Sequence, residues 1–380
     1  MSQVFANKYR PRSLSEIIGQ PVIVQTLTNA FNNKRLHHAY LFEGQLGSGK
    51  TSLGRILAAM ENCQNGPTLV PCGKCNLCAP IFEGGKHTDI VEIDAASGAG
   101  KVEQIREIKR EAQYNPVNGA RVKYFILDEI HSASYTAMDS LLKILEEPPP
   151  RVRFVLCTTE VHKLRPAIQS RCQKHTVRKI YWTQITEHLM QIAKTEKFGI
   201  EQGAAILCAK MADGSMRNGL QNLENLLDFV GQNNLTELDA QKMFGSVVET
   251  EIYDLIDKAI GLSCSKVDSS DGFCIINKML LNGASFDSIY EEITEALRKI
   301  LVGLTCTKAK DFISGISSEG KVRLTKQLTY CHEKKLLPAV LKSMDGLQKA
   351  KQSVDYKISS ETALQFWFVE SIINFRSNTT

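Results

Sequence analysis

The stretch "HHAYLFEGQLGSGKTS", residues 37–52, decides the fold. Its first half is a short apolar run ending in glycine, and its second half fits G-x-x-x-x-G-K-[ST] from Gly44 through Thr51. An apolar run, a glycine-rich turn and a helical pattern in that order predict a strand feeding a phosphate-binding loop into a helix amino terminus. The glycines allow the backbone N–H groups of Gly47, Ser48 and Gly49 to turn toward phosphate oxygens. Lys50 is then placed to reach the β and γ phosphates, Thr51 to offer its hydroxyl to Mg²⁺, and Ser52 follows in the first helical turn.

A chance glycine-rich turn would have no partner downstream, whereas "YFILDEIH", residues 124–131, supplies one. Four apolar residues end in Asp128 and Glu129, so a buried strand carries two carboxylates to the edge of a sheet where ligands of open α/β folds bind. Asp128 is expected to hold magnesium through its water shell, and Glu129 to orient and deprotonate an attacking water. Further strand-like runs lie at 89–94, 122–129 and 153–159, alternating with helical patterns at 101–113 and 134–146, and a helical pattern also covers 13–31. Near-continuous apolar strands separated by helices predict a parallel sheet covered on both faces. "KHTVRKIYW", residues 174–182, reads as the last strand; beyond it come four helical patterns to residue 244 and five or six more between 249 and 376. The fold class expected is therefore α/β plus all-α, with "SVVETEIYDL", residues 246–255, marking the boundary between the two helical groups.

A chain of 380 residues suggests two or three domains, and its hydrophobic and charged fractions are those of a soluble globular protein. No apolar run is long enough to span a bilayer, and the amino terminus lacks a signal-peptide pattern, so a cytoplasmic location is expected. The net charge of +5 neither establishes nor excludes nucleic-acid binding.

Eleven cysteines are present, but only Cys63, Cys72, Cys75 and Cys78 form a meaningful pattern, C-x8-C-x2-C-x2-C. Two tight C-x2-C steps suit a tetrahedral Zn²⁺ held by four thiolates, a closed and therefore structural site. An iron–sulfur cluster and a redox pair are the chemical alternatives. The insert is expected to be a surface excursion pinned by its metal, and scattered cysteines such as Cys157 and Cys208 to be small buried hydrophobes.

With "KYRPRSLSEIIGQ" (8–20), "GQLGSGKT", "ILDEIH", "LLKILEEPPP" (141–150), "CTTEVHKL" (157–164) and "QSRC" (169–172) in order, the chain resembles clamp-loader ATPases of the AAA+ class. The four-cysteine insert resembles that of the gamma/tau branch of bacterial DNA polymerase III, and this likeness favours zinc. It implies an AAA+ P-loop domain over 1–178 with the zinc insert at 63–78, a small helical lid over 179–245 and a helical collar over 246–380. Further, it implies that Tyr9, Arg10 and Pro11 border an adenine pocket, that Thr159 is a sensor at the end of the fourth strand, and that Arg217 closes the lid over the γ-phosphate of ATP. Arg171 would be an arginine finger acting in the neighbouring subunit's site. The expected partners are delta- and delta-prime-like subunits in a ring of five with further copies of this chain, a sliding clamp and primer-template DNA. With its last residues just after the expected collar, the chain is expected, on this resemblance, to correspond to the shorter, gamma-like form. Asn218 stands where the family usually has an acidic residue, and "SGAGKVEQIREIK" (97–109) also departs from the usual run.

Helix 101–113 offers Lys101, Arg106, Lys109 and Arg110 for phosphate contacts, although Glu103, Glu107 and Glu111 balance them as on an ordinary solvated face. The function expected is an ATP-driven motor that opens the clamp and releases it on DNA upon hydrolysis. The alternatives are an AAA+ helicase or helicase loader, against which the zinc insert and Ser-Arg-Cys motif argue, and a non-hydrolysing scaffold, against which the full catalytic set argues.

Overall fold

The computed structural model describes residues 4–83, 87–96, 107–117, 119–231, 234–244, 249–262, 269–281, 284–305, 318–355 and 358–377. They fall into two compact units, Met1–Leu235 and Thr236–Thr380.

At the centre of the first unit is a parallel sheet of β1 (Ala39–Gly44), β2 (Ile90–Asp94), β3 (Lys123–Asp128), β4 (Val152–Thr158) and β5 (Gln173–Val177), in the order β2-β3-β4-β1-β5. Because strand side chains alternate between faces, Tyr40, Phe42, Tyr124 and Ile126 join one core while Ala39, Leu41, Phe125 and Leu127 join the other. Helix α3 (Lys50–Asn62) covers the first face through Leu53, Ile56 and Leu57, and α6 (Tyr135–Glu146) covers the second through Ala137, Met138 and Leu141. Helix α6 starts where Ser134 accepts a hydrogen bond from the Ala137 N–H.

Two expectations need correction. The helical pattern over 13–31 is a short turn at Leu14–Glu16 followed by α2 (Pro21–Asn32), after α1 (Phe5–Lys8). Proline can open a helix but cannot continue one from before it, and the side chain of Gln20 pairs with the backbone N–H and C=O of Arg178. The last long strand also stops at Val177 rather than reaching Trp182, which already opens a helix. The helix expected at 101–113 is described only from 107, as α5 (107–111); Lys101, Glu103 and Arg106 lie outside the described residues.

After α7 (Pro166–Gln169) and β5 come the helices α8 (Trp182–Glu196), α9 (Gln202–Lys210) and α10 (Met216–Val230). Two-residue strands β6 (Gly199–Ile200) and β7 (Asn234–Leu235), too short to carry an alternating pattern, pair alongside them. The second unit is helical, from α11 (Glu237–Phe244) through α12 (Glu249–Ile260), α13 (Ser269–Leu281), α14 (Phe286–Thr305), α15 (Ser318–Glu333) and α16 (Leu337–Asp355) to α17 (Ser360–Ser377). Its core closes around Trp367 and Phe368, with the Trp367 indole N–H donating to the Ser343 carbonyl at 2.9 Å. Among the described residues no helix is long and apolar enough to cross a membrane.

Candidate functional site

The phosphate loop leaves β1 at Gly44 and enters α3 at Lys50. Gly47 and Gly49 hold φ of 74° and 103°, a region that L side chains avoid. At Gly47 the constraint is doubled, since a Cβ there would stand 2.2 Å from the Ser215 hydroxyl oxygen. Ser215 caps α10 by accepting from the Asn218 N–H, so the loop touches the amino terminus of a lid helix directly. Asn218 thus contributes its backbone to the cap, a role that needs no acidic side chain.

Lys50 is almost fully buried and its ammonium donates to the carbonyls of Gly44 and Gln45 at 2.9 and 3.0 Å. Thr51 donates its hydroxyl to Asp128 Oδ2 at 2.6 Å. Next to it Glu129 takes a left-handed φ of 45°, which turns the chain sharply out of β3, while its N–H donates to Asp128 Oδ1 at 3.0 Å. The Glu129 carboxylate accepts from the Thr159 hydroxyl at 3.0 Å and lies 3.2 Å from His131 Nδ1.

These groups surround a cavity of about 340 Å³. Gly47, Ser48, Gly49, Lys50, Thr51 and Ser52 form its floor, with Asp128 and Glu129 at one side. Tyr9, Arg10 and Pro11 line another wall and Arg217 a third. Burial, and then the nearby Arg55 guanidinium, pull Arg10 below the ordinary arginine range. Tyr9 donates its hydroxyl to Glu196 of α8, and Lys8 approaches the same carboxylate at 2.5 Å. Burial, followed by that hydrogen bond and the carboxylate's charge, pushes the Tyr9 phenol up to about 12. The amino-terminal segment is thereby tied to the lid.

Three expected residues stand apart from the lining. Gly44 contributes its carbonyl to Lys50, Thr159 donates its hydroxyl to Glu129, and Arg171 bonds to the Ala167 carbonyl and the Glu146 carboxylate. The lid side chains His188 and Leu220, and Ile17 and Ile18 beside the first turn, also line the cavity. No motif marks them, because Leu220, Ile17 and Ile18 offer only shape and apolar surface and His188 is a single residue on a helical pattern.

The four cysteines converge, with all Sγ atoms within 4.8 Å of one another. A tetrahedral ion with bonds of about 2.3 Å sets its sulfurs roughly 3.8 Å apart, so the set fits one Zn²⁺ and leaves little room for a four-iron cluster. Backbone N–H groups of Cys72 and Cys78 point at Cys63 Sγ and Cys75 Sγ at 3.5 and 3.3 Å, as thiolates require. Burial opposes ionisation of Cys75, yet the N–H donors of Gln64, Cys78 and Leu77 outweigh it and bring the thiol down to about 6. Burial and the neighbouring Cys75 push Cys78 upward instead. The insert is rooted at both ends, since Cys63 and Cys78 are fully buried in the sheet core with Met60, Ile81 and Phe82, while Gln64, Asn65, Val70 and Lys74 between them are exposed. Cys157 and Cys208 are buried, as expected of small hydrophobes.

Residues 19–180 match the family described as DNA polymerase III, delta subunit, and residues 184–224 match the DNA polymerase III clamp loader subunit, ATPase lid domain. The chain is 40% identical over 254 residues to DNA polymerase III subunit tau/gamma of Haemophilus influenzae, covering 67% of this chain and 36% of that protein. It is 36% identical over 298 residues to DNA polymerase III subunit gamma of Buchnera aphidicola subsp. Schizaphis graminum, covering 78% of this chain and 80% of that one. Among solved structures, the Thermotoga maritima RuvB Holliday junction branch migration motor aligns at a TM-score of 0.46 and 19% identity, covering 66% of this chain and 78% of that one, a likeness too loose to bear on function. The chain spans only about a third to a half of the length of the Haemophilus protein and a further tau-type relative, but by its identity to the Buchnera protein and its match to the lid domain it belongs to the gamma/tau family of DNA polymerase III clamp-loader subunits.

Proposed function

We propose that the chain is the ATP-hydrolysing motor of a clamp loader, opening a sliding clamp when ATP binds and releasing it on primer-template DNA when ATP is cleaved. The observation that carries this reading is the convergence of Lys50, Thr51, Asp128, Glu129 and Arg217 on one cavity. Lys50 and the loop N–H groups bind the β and γ phosphates, and Tyr9, Arg10 and Pro11 flank the base. Thr51 and Asp128 would hold Mg²⁺, which when bound neutralises charge on the β and γ oxygens. Glu129, oriented by Thr159, takes a proton from the attacking water, and Arg217 answers the γ-phosphate charge from the lid.

Arg171 lies outside the cavity lining, which supports its service in a neighbour's site and makes hydrolysis a property of a ring with delta- and delta-prime-like subunits. Cys63, Cys72, Cys75 and Cys78 would hold Zn²⁺ as a structural cross-link with no reactive position left open. Lys109 and Arg110 of α5 are exposed and able to meet DNA phosphates without reading sequence. The direct test is equilibrium binding of a fluorescent ATP analogue to the wild-type chain and to Lys50→Ala: micromolar binding lost in the variant supports the reading, and equal binding by both refutes it.

A further inference from the structure

The phosphate loop and the first cysteine sit at opposite ends of one helix, since α3 begins at Lys50 and Cys63 is its C-cap. Thirteen helical residues separate the two by about 20 Å. A second and shorter connection runs through the amino-terminal segment. Tyr9, Arg10 and Pro11 wall the cavity, and the next residue, Arg12, also lines it. Its guanidinium carbon lies 5.8 Å from the centre of the Phe82 ring, within the range of an attractive cation–ring contact. Phe82 belongs to α4 (Cys78–Glu83), the helix that the last cysteine opens.

Arg12 is held on its other sides as well. Nη1 passes 3.4 Å from the point where a Cβ at Gly73 would stand, and Gly73 lies between Cys72 and Cys75 with φ at 71°. The Arg12 backbone N–H donates to Glu16 Oε2 at 2.8 Å, and Glu16 is a further lining residue. One side chain therefore lies beside the cysteine turn and against the helix that follows it, while its own backbone continues the cavity lining.

We infer that Arg12 is a positioning residue that couples the four-cysteine turn to the nucleotide cavity, so that metal and nucleotide bind with positive cooperativity. The inference rests on the reading of the cavity as an ATP site and of the cysteines as a zinc site. With the sulfurs gathered on one ion, Gly73 and Phe82 are fixed and Arg12 keeps the Tyr9–Pro11 wall in place. Once the ion leaves, the buried Leu77 and Cys78 still anchor one end of the segment, but the turn at residues 72–75 loses its cross-link and Arg12 a fixed seat. Coupling is reciprocal, so nucleotide must raise the affinity for metal by the same factor as metal raises the affinity for nucleotide. A single exposed cation–ring contact can transmit about a 2- to 5-fold effect.

The test uses the full-length zinc-loaded chain and follows Zn²⁺ transfer to a chromophoric chelator with and without ATP, beside binding of a fluorescent ATP analogue before and after zinc removal. Wild type should bind nucleotide about 2- to 5-fold more tightly when loaded, and ATP should slow zinc transfer to the chelator. Arg12→Ala and Phe82→Leu should each keep one zinc per chain and lose the protection, whereas Arg12→Lys should keep part of it. Phe82 lines no part of the cavity, so its variant reports the connection and not a lost ligand contact. If stripped protein unfolds, the transfer rates still decide, since they are read on loaded protein. Undiminished protection in both Arg12→Ala and Phe82→Leu, or none in a wild type that binds both ligands, would overturn the coupling alone. A wild type that binds no ATP or no zinc would overturn the site readings and the coupling with them.

Discussion

Thr51 donates its hydroxyl to Asp128 Oδ2 at 2.6 Å, joining the first turn of α3 to the end of β3. Each is the other's partner in the protein and both would serve one Mg²⁺, so Thr51→Val and Asp128→Asn should produce the same defect. Hydrolysis by the assembled ring should fall at least about 100-fold in either variant, and the double variant should be little worse than the singles. Steady-state ATPase rates across a magnesium titration check this; additive losses would separate the two roles.

Thr159 reaches the cavity only through Glu129. Thr159→Val should therefore lower kcat about 10-fold or more while leaving KM for ATP close to wild type, because the lost hydrogen bond orients the base and does not bind nucleotide. A rise in KM with kcat unchanged would place Thr159 on the substrate instead.

Arg171 is tethered to Glu146 and the Ala167 carbonyl, away from the cavity lining. Arg171→Ala should bind ATP as wild type does yet fail to hydrolyse it within the ring. Mixing it with Lys50→Ala subunits should restore part of the activity if several copies share the ring, since each lacks what the other supplies. Complementation is read from ATPase rates over mixing ratios, and no recovery at any ratio would argue against service in trans.

Asn62 is fully buried at the end of α3 and uses both ends of its amide. It donates to the carbonyls of Ala58 and Val122 and accepts from the N–H groups of Arg121 and Val122. Asn62→Leu strands these backbone groups and should destabilise the first unit by about 2–4 kcal/mol, measured by urea unfolding. A loss below about 0.5 kcal/mol would mean that water replaces the amide.

The Tyr9 phenol is raised from 10.0 to about 12 by burial and by its bond to Glu196. A raised folded-state value favours the protonated form, so this contribution is complete below pH 10.0 and disappears as pH climbs through about 12. Thermal midpoints of wild type and Tyr9→Phe should differ at neutral pH and converge across that window. A constant difference would mean that the ring and not the hydroxyl is responsible.

The phosphate-loop side of the cavity was legible in the sequence because backbone geometry dictates it. A phosphate loop needs glycines where φ is positive, and a carboxylate pair at the end of an apolar strand leaves a pattern. Gln20, by contrast, breaks the expected helix by pairing with Arg178, 158 positions away, which no local periodicity encodes. The lid side of the cavity was equally hidden, because Leu220 and His188 follow the same helical spacing as any core residue. The cysteine spacing announced a metal-binding turn but not that Cys63 and Cys78 are rooted in the sheet core, since burial there depends on Ile81 and Phe82 folding back onto α3.

The most direct measurement is steady-state ATP hydrolysis by the purified chain assembled with delta- and delta-prime-like subunits, with sliding clamp and primed DNA added singly and together. The expected result is slow turnover alone and strong stimulation only when clamp and primed DNA are both present. Turnover raised by DNA alone and indifferent to the clamp would contradict the account.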